Sequence, residues 1–313
     1  MKEFVFGPVP SRRLGFSLGV DIIPRKYCSF DCIYCQVGKT THKQVERCSF
    51  SDPGLIVKQV VERVEEGRRI DFISLSGSGE PTLNADIGEI IRAIKRETSI
   101  PVAVITNGSL LFREDVRRDI AAADVVLPSL DATGDAVFER INRPHPALSF
   151  TQLVEGLKAF RRGYKGKIWL EIMLIKGINN GSEHIEIFKQ IVGGLSADRV
   201  QLNTVARPPL EEAARGLDGA ELLSLAHVLG NGCELIPAFE RRSPAQKAQQ
   251  WRESVVATLS RRSLSLDDIV RTTGVSLTEA KAGLDKLIGE SKIRLVRFNN
   301  EWFYTAGGEE DLS

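Results

Sequence analysis

Cys28-Ser29-Phe30-Asp31-Cys32-Ile33-Tyr34-Cys35 gathers three thiols into eight residues, just after a short apolar strand expected over Leu18–Pro24. A compact C-x3-C-x2-C loop can wrap three thiolates around one corner of a cube. Iron–sulfur clusters are held by cysteine thiolates, normally four for [4Fe–4S]. Three local ligands leave one iron without a protein ligand, open to an exogenous chelating group as catalytic metal sites are. The same residues also allow buried structural cysteines, or a zinc site completed by His42 or Cys48. The five cysteines stand at 28, 32, 35, 48 and 233. An odd, clustered set is a poor disulfide framework and reads better as metal ligation in a reducing compartment. Cys48 and Cys233 have too few companions for a second cluster and are expected to be structural.

Working outward, strand and helix patterns alternate. Ser51-Asp52-Pro53 is a helix start, an N-cap candidate ahead of a first-turn proline. Ile56, Val57, Val60, Val61 and Val64 follow at helical spacing. Ile70–Leu75 is a strand, and Asn84–Glu97 a helix with Ile87, Ile90, Ile91 and Ile94 on one face. Further strands are expected at Pro101–Ile105, Asp124–Leu130, Ile168–Leu174 and Arg199–Asn203, with helical patterns between. Repeated β–α units predict an α/β fold with parallel strands and right-handed crossovers. In barrels of this kind, function sits in loops at the C-terminal ends of strands.

After Asn203 the pattern breaks. Arg207-Pro208-Pro209 and Glu211-Glu212 read as an exposed connection, followed by a short helix over Ala220–Leu229. The expected division is a barrel domain over 1–240, a polar linker over 241–250, a second domain over 251–306 and an acidic tail over 307–313. Helices over Trp251–Ser260, Leu266–Thr272 and Leu277–Gly289, then strands over Ile293–Phe298 and Trp302–Thr305, make the second domain winged-helix-like.

Of 313 residues, 42% are hydrophobic and 27% charged, which predicts a packed core, and the net charge of +1 implies no strong polyanion-binding field. No apolar stretch approaches the ~20 residues of a membrane span. The N-terminal MKEFVFGPVPSRR lacks an apolar signal core, so a cytoplasmic location is expected.

Polar clusters end the strands. Leu75-Ser76-Gly77-Ser78-Gly79-Glu80-Pro81 offers glycines that let backbone approach a ligand and a carboxylate that can bond an ammonium. Thr106-Asn107-Gly108 and Ser129-Leu130-Asp131 end the next strands, where they either meet a ligand or cap the following helix. Glu171, Gln201 and Asn203 alternate with apolar residues and face a barrel lumen, or are satisfied buried polar groups. Arg143 and His145, beside Arg140 and Asn142, are candidate substrate contacts.

Taken together, these motifs resemble the radical S-adenosylmethionine (SAM) superfamily. The resemblance implies a partial (β/α)6 barrel, a [4Fe–4S] cluster on Cys28, Cys32 and Cys35, and SAM chelated by the open iron. It implies SAM contacts from Tyr34, which precedes the last cysteine, from Gly77, Ser78, Gly79 and Glu80, and from Thr106, Asn107, Ser129 and Asp131, with Glu171, Gln201 and Asn203 as further candidates. It also implies a flavodoxin- or ferredoxin-type electron donor. Gly7-Pro8-Val9-Pro10-Ser11-Arg12-Arg13-Leu14-Gly15, Asn142-Arg143-Pro144-His145 and Trp169-Leu170-Glu171-Ile172-Met173 extend the likeness to a wyosine-synthase-like subgroup. Relatives there that modify tRNA carry a second set of N-terminal cysteines, absent from this sequence.

Two functions compete. One is an enzyme directing a 5′-deoxyadenosyl radical at an RNA, protein or small-molecule substrate. The other is an iron–sulfur redox sensor that binds DNA through the C-terminal domain. From Gln250 onward nine Lys/Arg face ten Asp/Glu. A DNA reader needs a basic stripe, so strong DNA binding is not expected and the enzyme is favoured.

Overall fold

The computed structural model of the chain describes residues 3–230, 232–236 and 251–307. The linker expected over 241–250 and the tail from 308 onward lie outside the described residues.

The strand expected over Leu18–Pro24 is the second member of a hairpin, β1 (Val5–Ser11) and β2 (Gly15–Val20). Pro8 and Pro10 argue against a strand by pattern, but β1 lies at a sheet edge, where a missing N–H costs no ladder bond. A two-residue parallel pair, β3 (Tyr27–Cys28) and β4 (His42–Lys43), brackets the cysteine loop. Then come α1 (Pro53–Glu65), β5 (Phe72–Leu75), a 3-10 turn (Pro81–Leu83), α2 (Ile87–Glu97), β6 (Val102–Thr106), α3 (Glu114–Ile120) and β7 (Val125–Pro128). They are followed by α4 (Asp135–Ile141), α5 (Phe150–Gly163), β8 (Lys167–Leu174), α6 (Ser182–Leu195), β9 (Arg199–Thr204), α7 (Gly219–Leu229) and β10 (Cys233–Leu235).

Six strands run parallel in the order β2-β5-β6-β7-β8-β9, with β1 antiparallel on one edge and β10 adding a seventh parallel strand on the other. This is the partial (β/α)6 barrel that the β–α repeats predict. Alternation along the strands splits the core in two. Val102, Val104 and Val126 pack outward under the helices, while Ala103, Val125, Leu127 and Trp169 fill the interior around Leu14. The isoleucine face of α2 is fully buried, and each such side chain contributes about 1.5–3 kcal/mol. With its floor filled, the barrel opens a cleft at the C-terminal ends of the strands.

The C-terminal domain comprises α8 (Trp251–Leu259), β11 (Leu264–Ser265), α9 (Leu266–Thr273), α10 (Leu277–Gly289), β12 (Ile293–Phe298) and β13 (Glu301–Ala306). Three helices and a hairpin stand as expected, and β11 makes the sheet three-stranded, in the order β11-β13-β12. A separate core forms around Trp251, Val255, Ile269, Leu284 and Tyr304.

This domain packs α8 and α9 on β1. Arg261 Nε donates to Asp21 Oδ2 at 2.8 Å, with only 12% and 5% of the two side chains exposed. The Arg261 guanidinium also stacks over Phe6. Breaking a buried pair from one side strands the other charge, at about 3–5 kcal/mol. Arg261→Ala should therefore lower unfolding free energy by about that amount, read as a fall in the urea midpoint. A change under about 0.5 kcal/mol would show that the pair does not hold the domains together.

Candidate active site

The cysteine loop is pinned from both ends. Asp31 N–H donates to the Asn142 carbonyl at 2.9 Å and Ile33 N–H to the Ile141 carbonyl at 3.0 Å, so the loop rests on the end of α4. Phe30 buries its ring edge-on against Phe138. Thr40 closes the loop by donating its N–H to Asp31 Oδ1 and its hydroxyl to the Phe30 carbonyl.

The three thiols line two adjoining cavities of about 310 and 330 Å3, Cys28 and Cys32 in the first, Cys32 and Cys35 in the second. Burial pushes the Cys28 thiol up to about 12 and raises Cys32 and Cys35. Donors are nevertheless aimed at the sulfurs: backbone groups of Ser29 and Phe30 at Cys28, and of Val37 and Gly38 at Cys35. Asn107 Nδ2 lies 3.6 Å from Cys28 Sγ and Asn142 Nδ2 3.5 Å from Cys32 Sγ. Donors suit thiolates, and a bound cation deprotonates coordinating thiols outright. This donor set fits an iron–sulfur cluster, whose sulfurs accept such bonds. The alternative zinc partners are engaged elsewhere. His42 stacks on Tyr27 at 4.2 Å, and Cys48 is exposed in a bridge to Asn84.

Glu80 ties the next loops together. Its Oε1 accepts from Thr82 N at 3.0 Å, Thr82 Oγ1 at 2.5 Å and Thr106 Oγ1 at 2.6 Å, and its Oε2 accepts from Asn107 N at 2.7 Å. Among the described residues no cation pairs with it, and burial raises its pKa. Gly77, Gly79, Glu80, Thr106, Asn107 and Ser129 all line the first cavity, and Tyr34, Glu171 and Asn203 the second.

The remaining expected contacts do not line either cavity. The Ser78 hydroxyl donates to Asp21 at 2.5 Å, joining the loop after β5 to the domain-docking pair. Asp131 is buried under Tyr34, accepting from its hydroxyl at 2.5 Å, from Asn142 Nδ2 at 3.0 Å and from Met173 N at 3.1 Å. Burial lifts its pKa to about 6. Gln201 donates to Glu234 at 3.1 Å, one strand over. Arg143 pairs with Glu211 at 2.5 Å, and His145 Nδ1 accepts from Ala147 N.

Five arginines line these cavities: Arg12, Arg13, Arg207, Arg261 and Arg262, Arg12 in the second alone and the others in both. The connection at Arg207 is not exposed as expected. Only 11% of the Arg207 side chain is exposed, and it pairs with Asp268 at 3.5 Å. Arg13 pairs with Glu171, and Arg12 Nη2 donates to Asn203 Oδ1 at 3.1 Å. Arg12 and Arg13 were visible beside the hairpin turn, but Arg261 and Arg262 reach the cleft only through domain docking, which no local pattern encodes.

Comparison with known proteins agrees with this architecture. The Radical SAM superfamily model matches residues 22–190. A Brachyspira hyodysenteriae protein named GTPase Obg is 36% identical over 93% of this chain, which spans 43% of that protein's length. A Helicobacter pylori UPF0026 protein is 30% identical over 96% of this chain and 97% of its own. A radical SAM methyltransferase from Sphaerobacter thermophilus shares the fold, with a TM-score of 0.50 at 20% identity over 70% of this chain and 65% of its own. The chain belongs to the radical SAM superfamily. The cofactors of that superfamily are a [4Fe–4S] cluster and SAM.

Gly79 sets the spacing between the cysteine loop and the loop after β5. A Cβ there would stand 1.8 Å from the Tyr27 carbonyl oxygen, to which Glu80 N–H donates at 3.1 Å. Gly79→Ala must push Tyr27–Cys28 away and should cost about 1–3 kcal/mol, measured by urea unfolding. Wild-type stability in this variant would disprove the close approach.

Proposed function

We propose that Cys28, Cys32 and Cys35 hold three irons of a [4Fe–4S] cluster and that SAM lies in the cleft beside them. A cluster held there and reduced by one electron would supply the chemistry that splits the SAM sulfonium into methionine and a 5′-deoxyadenosyl radical able to abstract hydrogen from a substrate. The observation that carries this reading is the pair of adjoining cavities, which share Cys32 and together set the three thiols beside the loops after β5, β6 and β7. Glu80 is a buried carboxylate beside the first cavity with no cation among the described residues, which suits the SAM ammonium. Gly77 and Gly79 let backbone approach the ligand, and Thr106, Asn107 and Ser129 offer groups to the carboxylate and ribose. Tyr34, steadied by Asp131, stands where an adenine ring would pack. Glu171 and Asn203 border the second cavity.

A flavodoxin- or ferredoxin-type protein is the proposed electron donor. The Gly7–Gly15 and Asn142–His145 motifs support the wyosine-synthase-like subgroup. The DNA-binding regulator has less support. Arg261 and Arg262 turn toward the barrel and are not spread along an outer face. No helix among the described residues is long and apolar enough to cross a membrane.

Anaerobic reconstitution should load about four irons per chain, and dithionite should then release methionine and 5′-deoxyadenosine from SAM. Alanine at Cys28, Cys32 or Cys35 should abolish the cluster, while Cys48→Ala and Cys233→Ala should retain it. Intact iron content in Cys32→Ala would overturn the ligand assignment.

Glu80→Gln replaces an acceptor with a donor facing Asn107 N–H. SAM affinity should fall about tenfold, near 1.4 kcal/mol, by calorimetry on the cluster-loaded protein. Unchanged affinity would remove Glu80 from the ammonium site.

A further inference from the structure

The cleft carries more positive charge than the protein neutralises. Three of its five arginines have carboxylate partners: Arg13 with Glu171, Arg207 with Asp268 and Arg261 with Asp21. Arg12 and Arg262 have none among the described residues. Arg12 donates to the neutral amide of Asn203 and feels Glu171 and Asp268 only from beyond pairing distance. Arg262 Nη1 reaches the Pro10 carbonyl at 3.3 Å and feels Asp268 in the same way, while its enclosed Nε has no hydrogen-bond partner among the described residues. Glu80, also on the cleft, is bonded to Thr82, Thr106 and Asn107 instead. Burial and neighbouring guanidinium groups, Arg207 first among them, pull Arg12 down to about 10 and Arg262 well below the usual range.

Such crowding of cations is unfavourable unless an anion completes it. Buried charges are normally paired, and an unsatisfied buried donor costs about 1–3 kcal/mol. Guanidinium groups match phosphate oxygens with paired, directional N–H donors. A phosphomonoester carries about −2 near neutral pH and a backbone phosphodiester about −1, so the first balances both unpaired guanidinium charges and the second one of them.

We infer that Arg12 and Arg262, with Arg207 beside them, bind a phosphate group of the substrate in the cleft between the barrel and the C-terminal domain. The inference rests on the cleft being the SAM site and names the class of molecule that shares it. It also gives the C-terminal domain a task, since Arg262 belongs to that domain and Arg12 to the hairpin turn of the barrel. Two sources of phosphate fit, a free nucleotide and the backbone of an RNA.

The test is calorimetry on the full chain, cluster-loaded and SAM-saturated, without reductant. The probes are inorganic phosphate, guanosine 5′-monophosphate, guanosine, succinate and an RNA trinucleotide. Phosphate-bearing probes should bind, guanosine and succinate should bind at least about tenfold more weakly, and affinity should fall as salt rises. Tighter binding of the mononucleotide or of the trinucleotide identifies the source. Arg12→Gln and Arg262→Gln should each weaken phosphate binding about tenfold or more, and Arg262→Lys should restore it only in part. Arg118→Gln, a change in a 74%-exposed side chain, controls for net charge.

Absence of phosphate binding by the wild type would overturn the inference without any variant. An equal loss in Arg118→Gln, succinate binding as tightly as phosphate, or loss of SAM affinity in place of phosphate affinity would overturn it too. Because no electron is supplied, failure of SAM cleavage would leave this result standing, and failure here would leave SAM cleavage standing.

Discussion

Glu80 carries the interaction on which the site's geometry depends. One buried carboxylate accepts from the 3-10 turn that follows it and from the end of β6, while its own N–H bonds the Tyr27 carbonyl beside the first cysteine. A short acceptor with four donors fixes the separation of three segments more tightly than apolar packing alone, because each bond tolerates only tenths of an ångström. Gly79 makes the arrangement possible, since any side chain would collide with that carbonyl. The carboxyl lies buried among donors, with no cation paired to it among the described residues, and burial raises its pKa.

Asp21 repeats this logic at the next level. It follows β2, accepts from both the N–H and hydroxyl of Ser78, and pairs with Arg261 of the C-terminal domain. The same carboxylate thus connects the first barrel strand, the glycine-containing loop and the second domain. Phe298, at the end of β12, adds a second point of contact, packing against the small apolar cluster of Ile33, Ile141, Ile175, Val205 and Ala214 near the cysteine loop. The C-terminal domain is therefore part of the cleft's wall. Removing it would strip two arginines from the cavity and expose the face of β1.

Much of this was legible in the sequence because it is local. The isoleucines of α2, the apolar parallel strands and the C-x3-C-x2-C spacing are each written within a dozen residues. The cleft-lining positions Gly77, Gly79, Glu80, Thr106 and Asn107 were equally accessible, because a strand's end places them. β1 was hidden by Pro8 and Pro10, which lower strand character everywhere except at an edge. Ser78 and Asp131 are directed away from the cavity by partners distant in sequence, Asp21 in one case and Tyr34 and Asn142 in the other. Arg143 was expected beside a substrate and instead pairs with Glu211, a residue in the connection after β9.

The C-terminal domain shows why a charge count is a weaker guide than a charge placement. Nine basic and ten acidic residues from Gln250 onward cancel in sum. In space, Asp267 pairs with Arg271 and Glu290 with Lys286 and Lys292 within the domain, while Asp268 faces Arg207 of the barrel. Arg261 and Arg262, adjacent after α8, are directed to the barrel instead. There they join Arg12, Arg13 and Arg207, which come from two separate loops of the first domain. Net charge governs long-range steering, but affinity for a ligand follows the few guanidinium groups held, desolvated, at one point. A nearly neutral domain on a nearly neutral barrel thus encloses a cleft where five guanidinium groups outnumber the carboxylates Asp21, Glu80, Glu171 and Asp268.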